Sequence, residues 1–427
     1  MNISQLLQAV PCPCGKEHSC PIQFVSVESG AIRHLTGLTE GYTDILVVAD
    51  ENTYGAAGAQ VMDALTGKQV KQVIFSGKTV LIPDEAAIER ITAQLGNSQL
   101  IVGIGSGVIQ DLCKYVAFME KLPYFIVATA PSMDGYASTG AAMILGGMKV
   151  TVAAGVPEVI LADPEILKNA PMEMIRAGYG DIIGKYSALN DWRLSQVVNG
   201  EYFCQQIYDL TLEMVKKTLL LAEGLQKREE ESVRVLMEAL VVVGVAMSFA
   251  GSSRPASGSE HHLSHYFEIT GIVHNKPYFS HGIDVAYSTV ITAKLRELLL
   301  SRPWPEAQYR PDRAAYEQEI HRIYGSVAQG CIDLQDNTGR YKKDYLPVYK
   351  ENEAALRSIL AEMPKAAQVE AMLVAAGLDI SEFYDLYGKE NIADAVAYGK
   401  ELKDRYSVLW MYYDLFGDDK NGIWLDT

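Results

Sequence analysis

Five short apolar runs constrain this chain before anything else does. They are "DILVVADENTYGAAG" (44–58), "KQVIFSG" (71–77), "SQLIVGIGSG" (98–107), "YFIVATAPS" (124–132) and "PEVILADPEIL" (157–167). A strand with one wet face alternates polar and apolar residues, whereas a strand that is apolar throughout is covered on both faces. Several runs lead into a helical pattern such as "DEAAIERITAQLG" (84–96), so this part reads as strand–helix repeats around a parallel sheet. Beyond about residue 170 the period becomes helical, over 205–227, 229–250, 284–301, 311–330, 350–376 and 391–417. A chain of 427 residues exceeds one ordinary core. The expected fold is an α/β domain over 1–168 and an all-helical domain over 169–427. The boundary is expected near "NAPMEMIRAGYGD" (169–181), with a cleft between the halves.

The formal charge of −16 argues against a nucleic-acid or anionic-membrane surface, since both select clustered Lys and Arg. It leaves room for a phosphorylated ligand, which needs only a local pocket of donors. The longest apolar run, "ALVVVGVAMSFAG" (239–251), is shorter than the roughly 20 residues of a membrane span. It is expected to be a buried core helix, with no membrane insertion. The N-terminus lacks a basic stretch followed by an apolar one, and six cysteines are too sparse for a disulfide scaffold. Both readings favour the cytoplasm.

"GIGSGVIQDLCKY" (103–115) is a glycine-rich turn between a strand and a helix. Gly103, Gly105 and Gly107 would admit a pyrophosphate, and the helix start would supply N–H groups from Ser106, Gly107, Val108 and Ile109. The glycines fall at i, i+2 and i+4, unlike the G-x-G-x-x-G fingerprint. Thr129, Ser132 and Ser138 are hydroxyls beside the next strand end, suited to an adenine, a ribose or a nicotinamide edge. Asp50 closes the first strand, where a carboxylate either accepts from a ribose diol or caps a helix. Asp134, in "PSMDGY", is the best candidate to hydrogen-bond a substrate hydroxyl; the alternative is a turn before Gly135.

The histidines are concentrated in "SGSEHHLSHYFE" (257–268). His261 and His265 stand at i and i+4 on one helix face, and His262 points about 100° away. That pair is either a bidentate metal motif or one ligand with a substrate-facing partner. His281 precedes a glycine and a further helix, a place suited to another ligand, while His274 has no periodic relation to either. Asp181, after Gly178 and Gly180, is expected at the start of a helical segment, with Asp191 on a different face. "CPCGKEHSC" (12–20) offers Cys12, Cys14, His18 and Cys20 to a zinc knuckle, but its C-x-C spacing is tight and a hairpin turn is preferred. Cys113 reads as core packing.

The glycine turn followed by Asp111 and Lys114 resembles the signature of the metal-dependent, iron-type alcohol dehydrogenase superfamily. "VATAPSMDGYASTGAAM" (127–143) and "GSSRPASGSEH" (251–261) are similar to the sn-glycerol-1-phosphate dehydrogenases within it. The resemblance covers about residues 40–290. It implies a Rossmann-like nucleotide-binding domain with Asp111 in the cofactor set, and a helical domain that binds metal and substrate. It implies Asp181, His261 and His281 as metal ligands, with Asp181 and His265 also facing substrate and His265 moving the proton. The implied reaction is NAD(P)H-dependent reversible reduction of dihydroxyacetone phosphate to sn-glycerol 1-phosphate in a homodimer, with phospholipid metabolism as the setting. Zinc, nickel and iron all suit one carboxylate and two imidazoles. Lys185, Arg254 and Lys276 flank the ligand motifs as candidates for the phosphate. The competing readings are a glycerol or polyol dehydrogenase, a sugar-phosphate cyclase of the dehydroquinate synthase kind, and a non-catalytic nucleotide- or metal-binding regulator.

Overall fold

The computed structural model describes residues 3–146, 148–419 and 422–424. The chain forms two compact units, one of residues 1–179 with 216–253 and one of residues 180–215 with 254–427.

The first unit opens with a small antiparallel hairpin, β1 (Val10–Pro11) and β2 (Glu17–His18). Its centre is a six-stranded sheet of β3 (Phe24–Val27), β4 (Asp44–Asp50), β5 (Gln69–Phe75), β6 (Leu100–Gly105), β7 (Tyr124–Ala128) and β10 (Val159–Ala162). The order is β3-β10-β7-β6-β4-β5, and every pairing is parallel. The five apolar runs are five of these strands, and β6 and β7 are buried at every position. That burial is what unbroken apolar strands require, because both faces must exclude water. β5 lies at the edge, and its burial is correspondingly broken. β8 (Gly140–Leu145) and β9 (Met148–Ala153) pair separately as an antiparallel ribbon.

Between strands run α1 (Glu51–Ala64), α2 (Glu85–Leu95) and α3 (Gly107–Glu120). Asp50 and Asp84 start the first two by accepting hydrogen bonds from first-turn N–H groups. The chain leaves β4 for the edge strand β5, then returns across to β6 on the other side of β4. Strand order therefore reverses between β4 and β6, and an open α/β sheet binds ligands at the carboxyl ends flanking such a reversal.

The division between the two units at 179/180 falls within the expected stretch 169–181, and it lies inside a helix. Met172–Asn199 is one helix, α4, so Asp181 sits in a helix interior rather than at its start. Its glycines serve close packing: a Cβ at Gly178 would meet the Pro131 carbonyl oxygen at 1.8 Å. Compactness also divides the chain later than 168/169, and residues 216–253 return to the first unit. The reason is α5 (Glu230–Ala250), whose Ser248 hydroxyl donates to the Ala137 carbonyl at 2.9 Å. By length and composition α5 is apolar enough to cross a membrane, with mean hydropathy 2.0, yet 72% of that window is buried inside the protein. It is the core helix that its sequence led us to expect.

The second unit is helical. It includes α6 (Ser259–His274), α7 (His281–Ser301) and α8 (Val408–Phe416). A Cβ at Gly180 would stand 2.7 Å from the Gly282 carbonyl oxygen, and one at Gly184 would stand 2.6 Å from Val285 Cγ1. Two glycines one helical turn apart thus let α4 and α7 approach closely.

Gly244 on α5 is a similar contact, since a Cβ there would lie 2.8 Å from Ala137 Cβ. Gly244→Val is expected to overpack it, costing roughly 1–3 kcal/mol and lowering the thermal unfolding midpoint in a calorimetric scan.

Candidate metal centre and dinucleotide turn

Asp181, His261 and His281 come from α4, α6 and the first position of α7, and one ligand atom from each lies within 4.8 Å of the others. Asp181 is fully buried, His261 is 5% exposed, and His281 is half-buried. His261 Nε2 stands 3.6 Å from Asp181 Oδ1. The His261 and His281 ring centroids are 5.0 Å apart. His265, one turn along α6, is also half-buried, with its ring 6.2 Å from that of His261 and 5.5 Å from that of His281. The three imidazoles form one patch beside a buried carboxylate.

Nδ1 of each ring at the centre of the cluster faces an oxygen. His261 Nδ1 lies 2.7 Å from Glu260 Oε1, and His281 Nδ1 lies 3.3 Å from the Ser264 hydroxyl. A carboxylate that holds Nδ1–H leaves Nε2 as the lone pair for an ion, as second-shell partners of metal-bound histidines do. Burial first, then the charges of Lys185, His281 and Lys403, hold His261 well below the usual imidazole range. It therefore stays neutral, the form a ligand must have. Burial and the nearby Asp191 push the Glu260 carboxyl up to about 7. Neither Glu260 nor Ser264 was picked from sequence. A carboxylate directly before a candidate ligand, in "SEHH", was the available signal for Glu260.

Lys185 is not a solvent-facing phosphate receptor: it is fully buried and donates to Asp181 Oδ1 at 2.5 Å. Arg254 is 5% exposed, bonds Glu201 and donates to the Tyr406 carbonyl at 2.7 Å. Lys276 is exposed. His274 ends α6 with Nε2 2.8 Å from the Ile323 carbonyl oxygen. His262 is buried, and neither ring nitrogen has a hydrogen-bond partner among the described residues.

The residues expected to bind the nucleotide lie in the first unit. β4 and β6 are adjacent, with Ala49 paired to Ile104, so Asp50 and Gly105 end side by side where strand order reverses. Asp50 caps α1: its Oδ1 accepts from Asn52 and Thr53 N–H at 2.8 and 2.9 Å. The first bond of the α3 turn runs from Gln110 N to Ser106 O, so the N–H groups of Gly107, Val108 and Ile109 precede it, as orphan helix-start donors do. Ile109 is itself buried and fills the space under Gly105, where a Cβ would lie 2.5 Å from Ile109 Cβ.

Asp111 and Lys114 hold the segment after β7. Asp111 Oδ2 accepts from Ala142 N at 3.1 Å. Lys114 donates to the Gly135 and Ser138 carbonyls at 3.2 and 3.3 Å. Burial lowers the Lys114 pKa, and Asp111 and Asp134 oppose that shift. Thr129 N donates to Gly105 O at 3.0 Å, fixing β7's end against the glycine turn. Ser138 Oγ bonds Gly135 O at 3.1 Å, and Ser132 is half-buried nearby in sequence. Asp134 precedes the 135–137 turn, and its side chain does not cap it. Cys113 is fully buried, as core packing requires.

A family model described as iron-containing alcohol dehydrogenase matches residues 26–171. A glycerol-1-phosphate dehydrogenase [NAD(P)+] of Geobacillus thermodenitrificans is 34% identical over 303 residues, covering 68% of this chain and 74% of the relative. One from Hyperthermus butylicus is 35% identical over 274 residues, covering 63% and 76%. Among solved structures, an alcohol dehydrogenase from Oenococcus oeni matches with a TM-score of 0.60 at 14% identity, covering 91% of this chain and 94% of that one. The likeness to that structure concerns the fold alone.

The Glu260 contact carries its own test. Glu260→Gln is expected to weaken binding of a divalent ion by about 10–100-fold, measured by competition with a chelator, while the far-ultraviolet dichroism stays unchanged.

Proposed function

The chain belongs to the glycerol-1-phosphate dehydrogenases of the iron-containing alcohol dehydrogenase superfamily, and we propose that it interconverts dihydroxyacetone phosphate and sn-glycerol 1-phosphate with NAD(P). The observation that carries this reading at the level of residues is the convergence of Asp181, His261 and His281. Their donor set, one carboxylate oxygen and two imidazole nitrogens, fits a catalytic divalent ion that keeps a position open. Such an ion would polarise the substrate oxygen, and the nicotinamide would exchange a hydride with the carbinol carbon.

The chain's own residues do the rest. Glu260 and Ser264 orient the two ligand imidazoles through Nδ1. His265, one helical turn from His261, is placed to give or take the proton of the substrate oxygen. Asp134 accepts a hydrogen bond from a substrate hydroxyl. The first-turn N–H groups of Gly107, Val108 and Ile109 face the pyrophosphate, Asp50 Oδ2 takes the ribose diol, and Thr129, Ser132 and Ser138 line the rest of the dinucleotide. Asp111 acts in that set by holding the 135–142 segment in place.

Lys185 and Arg254 are engaged in ion pairs, so the phosphate receptor shifts to Lys403 and Arg405. Both converge on Ser257, Lys403 Nζ on its hydroxyl at 3.4 Å and Arg405 Nη1 on its carbonyl at 3.1 Å. Ser257 lies just before the histidine helix, and Lys403 is among the charges that depress His261. In a chain of net charge −16 this cationic group is a local exception, suited to an anionic substrate. The same reading places the enzyme in the cytoplasm, as a homodimer, which light scattering on the purified protein would test.

NADH oxidation with dihydroxyacetone phosphate is expected to stop on chelation and to return with Zn²⁺, Ni²⁺ or Fe²⁺. His281→Ala is expected to lose at least 100-fold in kcat/KM, about 2.7 kcal/mol. Full activity in metal-free protein would exclude the mechanism, and equal efficiency on unphosphorylated dihydroxyacetone would favour a polyol dehydrogenase. Lys403→Ala is expected to raise KM for the phosphorylated triose about tenfold or more without changing that for dihydroxyacetone.

A further inference from the structure

The β1–β2 hairpin has only two residues in each strand, and a two-stranded ribbon of that size is marginal by itself in water. Its turn is tight. Cys12 N donates to Lys16 O and Gly15 N to Cys12 O, each at 3.0 Å. Gly15 has φ +86°, the left-handed region that glycine enters at no steric cost. Pro13, Gly15, Lys16 and Glu17 are exposed. What converges instead is Cys12, Cys14 and His18. One ligand atom from each lies within 4.8 Å of the others, and Cys14 Sγ is 3.4 Å from His18 Nε2. The His18 ring is 4% exposed and stacks on Phe249 of α5 with centroids 5.5 Å apart, which seats the cluster on the core helix. Cys20 is not one of the three; it is buried, and its thiol bonds Ser248.

We propose that Cys12, Cys14 and His18 hold a second metal ion, a structural zinc that staples the N-terminal hairpin. Two thiols and an imidazole form a softer donor set than Asp181 with two histidines, and softness favours zinc among common divalent ions. The C-x-C spacing, which sequence reasoning took as a mark against a zinc knuckle, is what the hairpin accommodates: the turn at Gly15 folds back and returns His18 to Cys14. The fourth position of a tetrahedral ion is then met by water or a further side chain. On binding, each thiol loses its proton to solvent, and the ion ties the two ends of the turn together.

Cobalt tests this apart from activity. Metal-free full-length protein titrated with Co²⁺ alone is expected to develop the near-ultraviolet thiolate-to-cobalt charge-transfer band, which the Asp181 cluster cannot produce because it holds no sulfur. The band should persist in His281→Ala, bleach on adding Zn²⁺, and disappear in the Cys12→Ser/Cys14→Ser double variant. The double variant should keep its NADH-dependent turnover. No band in folded wild-type protein, or a band that survives both serines, would overturn the proposal. The wild-type arm decides even where the double variant fails to fold.

Discussion

One buried carboxylate holds together the helices that carry the metal-site residues. Asp191 on α4 accepts from Ser259 N at the start of α6 at 2.6 Å, from Arg296 of α7 at 2.7 Å, and from Val408 N at the start of α8 at 2.8 Å. Asp181 rides on the first of these helices, His261 and His265 on the second, and His281 on the third. Both Asp191 and Arg296 are essentially inaccessible to water, so leaving either without the other would cost roughly 3–5 kcal/mol. A ligand set within a few ångströms needs its helices fixed to a fraction of that distance. A charged junction does this better than apolar packing, because hydrogen bonds specify direction as well as proximity.

The glycines at 180 and 184 are the steric counterpart of that junction. They remove the side chains that would separate α4 from α7, and so let Asp181 and His281 meet across the contact. From sequence, Gly178 and Gly180 suggest a helix that starts only at Asp181. That error has a physical root: glycine disfavours a helix interior by roughly 1 kcal/mol relative to alanine, so local propensity argues for a break. Only the neighbouring helix, invisible to a local reading, supplies the reason for retaining them. The parallel sheet was legible for the opposite reason, since strands apolar at every position have few other places to go. The spacing of His261 and His265 was legible too, because one helical turn is a local fact. Glu260, Ser264 and the capture of Lys185 by Asp181 were not, for each depends on which side chains converge rather than on spacing along the chain.

Lys114 and Asp111 show what a sequence motif leaves open about local contacts. Their positions after the glycine turn point to a dinucleotide-binding unit, and that turn lies at the strand reversal. Yet the hydrogen bonds they make hold the 135–142 segment rather than the turn itself. A lysine so thoroughly buried is stable only where carbonyls and a carboxylate surround its ammonium group. Its presence therefore fixes the backbone of the segment that bears Asp134 and Ser138, whatever that segment goes on to bind.

Donor chemistry then sorts what this chain can carry. Asp181, His261 and His281 offer an oxygen and two nitrogens, a set open to several divalent ions, with selectivity left to geometry and supply. Glu260 shifts the balance, because a carboxylate on Nδ1 raises the basicity of the opposite nitrogen and tightens whichever ion is bound. A carboxyl held near 7 is a graded partner, more charged as pH rises and more neutral as it falls. The hairpin's two sulfurs and one nitrogen discriminate by softness instead and need no such tuning. Two clusters with different donors in one chain therefore favour different ions.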